Sequence, residues 1–116
     1  MAAALESFER YQRESCRCAE IKPDNAAVLR DLAVSHYKLA EWEKARANDS
    51  SLLLEERRDC WRRASHSLNE CRVVFIDMKN RGLLDKSDLG VTETLAREIS
   101  TCGNERDCLE PNKPLN

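Results

Sequence analysis

From Leu52 to Asn80 the chain contains no glycine or proline, and Trp61, Ala64, Leu68, Cys71, Phe75 and Met78 recur every three or four residues. Such a stripe lies along one face of an α-helix and would scatter over both faces of a strand. The segment therefore predicts one long helix with a continuous apolar face that some other element must cover. Its stop is written at Arg81-Gly82, where glycine can take the left-handed conformation that closes a helix.

The same period runs through the preceding residues. Leu5, Phe8, Ser15 and Ala19, flanked by Ala4, Tyr11 and Cys18, give a helix over about 2–21. Pro23 then disfavours helix at the residue before it, and Asp24 or Asn25 can cap the next helix. That helix spans about 26–47, with Leu29, Leu32, Ala33, His36, Leu39 and Ala40 on one side. Asn48-Asp49-Ser50-Ser51 reads as a turn, and the long helix follows over 52–80. Beyond it, Ser87 or Asp88 is expected to cap a fourth helix ending near Ser100, carrying Leu89, Val91, Leu95 and Ile99. Residues 101–116 read as an irregular tail, since Gly103, Pro111 and Pro114 break the pattern. No stretch alternates with period two. The expected class is all-α, with about four helices in antiparallel hairpins over residues 1–100.

Composition narrows the function. A chain of 116 residues holds one domain, and 19 Lys+Arg against 21 Asp+Glu leaves a net charge of −2. Nucleic-acid and membrane-surface binding normally need net positive charge, so neither is expected. No window of 18 apolar residues exists to span a bilayer, and the N-terminus shows no basic stretch followed by an apolar run. The expected compartment is the cytoplasm, where the six cysteines stay reduced.

The reactive residue types do not form a catalytic or metal-binding pattern. Cys16 and Cys18 diverge by 200° on a helix, and Cys60 and Cys71 stand about 16 Å apart along theirs. Cys102 and Cys108 flank a short segment in which a disulfide is geometrically open, with two reduced thiols favoured in the cytoplasm. There is no Gly-x-Ser-x-Gly, His-Glu-x2-His or phosphate-binding glycine loop, so no catalytic residue, metal or cofactor is assigned. Arg57, Arg58, Arg62 and Arg63 form the densest basic run. Glu55, Glu56 and Asp59 are interspersed, and Asp59 stands four before Arg63, so local ion pairing on a solvated helix accounts for it.

Two stretches resemble one another: Ala4-x3-Phe8-x2-Tyr11 and Ala64-x3-Leu68-x2-Cys71. The first leads through Lys22-Pro23-Asp24-Asn25 into Leu29-x2-Leu32-Ala33-x2-His36. This order resembles the tetratricopeptide repeat, in which a second helix, a proline-bearing turn and a first helix follow one another; the similarity spans roughly residues 2–100 and is strongest over 2–40. The ending Met78-Lys79-Asn80-Arg81-Gly82-Leu83-Leu84 is similar to the close of long bacterial arrays that accompany signalling domains. The resemblance implies a non-enzymatic scaffold that binds a peptide or helix of a protein partner in a groove between helices. Carried onto this chain, the groove positions are Ala27, Arg30, Val34, Tyr37 and Lys38, with Arg30 and Lys38 two turns apart and able to grip a carboxylate. Arrays of this kind need about three repeats to bury a continuous core. The alternative reading is therefore a capping or self-associating unit, a homo-oligomer, and the third is a small metal-binding or enzymatic bundle.

Overall fold

The computed structural model describes residues 2–109, with side chains from Leu5 onward. The fold is all-α, built from α1 (Ala2–Ile21), α2 (Ala26–Ala47), α3 (Leu54–Asn80) and α4 (Val91–Cys108). One 3-10 turn, Lys86–Asp88, precedes α4, and there is no strand among the described residues. No helix among them is long and apolar enough to cross a membrane.

Local chemistry sets most of the boundaries. The Asn25 side chain accepts from the Val28 N–H at 3.0 Å, satisfying one of the free donors at the start of α2. Gly82 takes φ +71° and the Leu83 N–H donates to the Met78 carbonyl at 2.8 Å, which closes α3. α3 begins at Leu54 and not at Leu52 because the preceding residues are used by a turn. The Asp49 carboxylate accepts from the Ser51 N–H at 3.0 Å, and the Leu52 N–H donates to the Asp49 carbonyl at 3.1 Å. Asp85 caps the 3-10 turn, accepting from the Ser87 N–H at 3.1 Å, while α4 starts after Gly90 with no side-chain cap, so neither Ser87 nor Asp88 caps it.

α4 departs further from the sequence expectation. It runs through Thr101–Cys108, residues expected in an irregular tail, while residues 110–116 lie outside the described residues. Packing explains the difference. Cys102 is buried and Leu109 packs against the core, continuing the stripe of Val91, Leu95 and Ile99. Gly103 costs about 1 kcal/mol relative to alanine in a helix, an amount the burial of such side chains can offset. The Thr101 hydroxyl also donates to the Arg97 carbonyl at 3.0 Å.

Each helix packs on the next in chain order, α1 on α2, α2 on α3 and α3 on α4. The core is centred on the α2–α3 pair. Ala33, Ala40 and Ala47 of α2 are completely buried, spaced two turns apart, and share the core with Cys60, Ala64, Leu68 and Cys71 of α3. Alanines at such a seam let two helix axes approach closely. α4 packs on α3 beside α2, burying Leu95 and Cys102. α1 is held more lightly: Ser15 is its one buried side chain among those described, and Leu5, Phe8, Tyr11 and Ala19 are half-buried.

Because the seam has no spare volume, Ala40→Leu is expected to destabilise the fold by about 1–3 kcal/mol through overpacking. The urea midpoint should fall with an unchanged slope. An equal or higher midpoint would show that α2 and α3 can separate freely there.

Candidate functional site

Arg30, Val34 and Tyr37 stand four and three residues apart and so project from one face of α2. α4 runs in the same direction as α2 on the same side of α3, since Arg30 meets Asp88 in the turn before α4, and Tyr37 and Lys44, further along α2, meet Glu98 within it. A cleft of about 220 Å³ lies between them. Its floor is Cys71 and Phe75 of α3, and its far wall carries Val91, Leu95 and Glu98 of α4.

The rim is polar and internally bonded. The Arg30 guanidinium makes a two-point contact with Asp88, Nε to Oδ2 at 2.8 Å and Nη2 to Oδ1 at 3.5 Å, which raises its pKa. At the other end the Tyr37 hydroxyl donates to Glu98 Oε1 at 3.3 Å. Lys44 Nζ lies 3.2 Å from Glu41 and 3.5 Å from Glu98. Burial, then the carboxylates of Glu41 and Glu98, push the Tyr37 phenol up to about 12. Burial, then Glu98, likewise push the Cys71 thiol up to about 12, so the thiol on the floor stays protonated and weakly nucleophilic at neutral pH.

Of the five residues assigned from sequence, the structure brings Arg30, Val34 and Tyr37 together on this cleft. Ala27 is exposed near the start of α2 and does not line it. Lys38 turns the other way and rests over the Tyr11 ring of α1, 5.1 Å from its centroid. The paired cations expected to grip a carboxylate are thus on different sides of α2, and Arg30 is already bonded to Asp88. Sequence reasoning missed the opposite wall altogether. Thr94, Leu95 and Glu98 recur at helical spacing in the sequence, but only the packing of α4 on α3 turns that stripe toward α2.

A second, more polar cleft of about 650 Å³ opens on the opposite face of α2, between α1 and α3. His36 sits in its base, with Gln12 Nε2 2.5 Å from His36 Nδ1, so the amide donates to a neutral ring. Arg13, Arg17 and Glu20 border it from α1, and His66 and Glu70 from α3. Among the described residues no three His, Cys, Asp or Glu side chains are grouped so as to hold a metal ion.

The thiols and arginines have structural placements. All six cysteines are free; Cys60, Cys71 and Cys102 are buried, whereas Cys18 and Cys108 are exposed. Cys102 and Cys108 do not flank a loop, because both lie on α4, one inward and one outward, and an intact helix keeps them from bonding. In the basic run, Arg57 donates to the Ala47 carbonyl at 2.8 Å, Arg62 pairs with Asp59 at 3.0 Å, and Arg63 pairs with the buried Glu43 at 3.2 Å. No family model, curated protein or solved structure matches this chain.

Burial holds the His36 pKa below its ordinary value of 6.5, with Glu70 opposing and His66 assisting. The unfolded chain therefore binds a proton that the folded chain refuses. Stability should fall as pH drops below 6.5 and level off beneath the folded-state pKa. Between pH 7.5 and 5 the urea midpoint of the native protein should decrease more than that of His36→Gln, which keeps an amide partner for Gln12 but cannot titrate. Identical decreases in the two proteins would refute this assignment.

Proposed function

We propose that this chain is a non-catalytic protein-interaction module, a tetratricopeptide-like scaffold whose groove between α2 and α4 receives a segment of a protein partner. The observation that carries the reading is the cleft itself: Val34, Phe75, Val91 and Leu95 supply an apolar interior, and Arg30–Asp88 and Tyr37–Glu98 a polar rim. Clefts between helices, apolar within and polar at the edge, suit side-chain anchors of a bound segment. The order of helices supports it as well. α1 stands as the second helix of one hairpin, α2 and α3 form a complete hairpin, and α4 lies beside α2 as the first helix of the next.

Self-association is the competing reading, and burial weighs against it. Leu95 is buried and Leu5, Phe8 and Ile99 are half-buried, so of the large apolar side chains described on α1 and α4 only Ile21, at the end of α1, is left exposed. The reduced thiols buried at Cys60, Cys71 and Cys102 suit a cytoplasmic setting.

Selection of a displayed random-peptide library on the protein tests the groove. Peptides so enriched should lose at least about tenfold in affinity to Val34→Asp, and keep their affinity for Arg17→Ala in the other cleft. Light scattering should give a mass near 13.3 kDa at every concentration over a hundredfold range. Peptides indifferent to Val34→Asp would sink the groove reading, and a mass that doubles with concentration would favour self-assembly.

A further inference from the structure

Resting on this groove reading, we propose that the occupant is an extended segment bearing one large apolar side chain, with a cationic residue two positions before it and another two positions after it. The size of the cleft sets the first requirement. About 220 Å³ is the volume of about seven waters, room for a single aromatic or large aliphatic side chain. Val34, Phe75, Val91 and Leu95 would surround it.

The rim sets the second. At one end, Asp88, Asp31 and Asp85 all act on Arg30, whose guanidinium Asp88 engages at two points, and Lys86 stands between Asp85 and Asp88 in the chain. At the other, Glu41 and Glu98 share Lys44, and Arg97 donates to Thr94 on the α4 wall. Along the rim five carboxylates, Asp31, Asp85, Asp88, Glu41 and Glu98, thus stand against four cations, Arg30, Lys44, Lys86 and Arg97, an excess of one negative charge. The field inside the cleft has the same sign: Glu98 opposes ionisation of both the Tyr37 phenol and the Cys71 thiol. An acidic terminus would meet net repulsion from this rim.

Spacing sets the third. Arg30 precedes Tyr37 by seven residues and Glu41 by eleven, about 10 and 16 Å along α2. An extended chain advances about 3.3 Å per residue, so cations four positions apart span about 13 Å and reach both ends. In a helix the same four positions cover only about 6 Å, too little to reach both.

Three peptides separate the possibilities: acetyl-Gly-Lys-Gly-Trp-Gly-Lys-Gly-amide and versions with glutamate or serine in place of both lysines. Each is titrated into isotope-labelled protein while amide shifts are followed by NMR. The lysine peptide should bind at least about tenfold more tightly than the glutamate peptide at low ionic strength, with serine between and the gap closing in high salt. The shifts should centre on Val34, Tyr37, Leu95 and Glu98, and Glu98→Gln should narrow the preference. Equal or tighter binding of the serine or glutamate peptide at these amides would overturn the charge inference and leave the groove reading standing. If no peptide moves these amides, both fail.

Discussion

The contact between α2 and α3 is the constraint on which the other placements depend. Three alanines spaced two turns apart on α2 are completely buried, in one core with Ala64, Leu68 and two cysteines of α3. Small side chains at such a seam leave little room for the helices to slide or rotate, because close-packed interiors resist changes of even one methylene. The buried Glu43 adds a polar condition. Its carboxylate is 4% exposed and pairs with Arg63 across the seam at 3.2 Å. A buried pair of this kind adds little net stability, since desolvation offsets most of the attraction. Sliding either helix by a turn would break the pair and leave the carboxylate buried without its cation, which selects this register over its neighbours.

Once α2 and α3 are fixed, α4 has one surface left to cover. Phe75, Cys71 and Met78 of α3 are buried in the same core as Leu95 and Cys102 of α4, and that packing sets α4 alongside α2. The groove follows as a consequence: α2 and α4 run parallel over one floor, and the space between them is what α3 leaves uncovered. α1 has a different status. It packs on α2 alone and reaches across a polar cleft toward α3, joined to α2 by the Gln12–His36 hydrogen bond and the Lys38–Tyr11 contact. An edge helix with one buried side chain among those described is the part of the fold that opens at least cost.

What the sequence made legible was whatever depends on neighbours along the chain. The limits of α2, the Asn25 cap as one of two candidates, and the stop at Gly82 all follow from local backbone chemistry. The core stripe of α3 follows from period alone, and the structure buries every one of its six residues. What stayed hidden depends on residues distant in sequence. Arg30 and Lys38 share a stripe on paper, yet their partners are Asp88, 58 residues away, and Tyr11. Thr101–Cys108 reads as coil from Gly103 and the prolines beyond it, and the packing of Cys102 and Leu109 makes it helical. Glu43 looks like any surface glutamate until Arg63 arrives from α3. In each case tertiary packing overrides a weak local preference.

The polar ties across the groove do a different job from the core beneath it. Arg30–Asp88, Tyr37–Glu98 and Lys44–Glu98 link α2 to α4 and the turn before it, but their side chains are partly exposed, and pairs of this kind contribute at most about 1 kcal/mol each. Burying Leu95 and Phe75 contributes more, at about 1.5–3 kcal/mol per large apolar side chain. The width of the groove is therefore set by the floor, and the rim sets which groups face inward. Arg30 and Lys44 keep N–H donors beyond those used by Asp88, Glu41 and Glu98, so it is the surplus of carboxylates over cations along the rim that sets the sign of charge a newcomer meets. The rim is thereby a charged border, acidic on balance, around an apolar centre that the packing of α4 on α3 has already fixed.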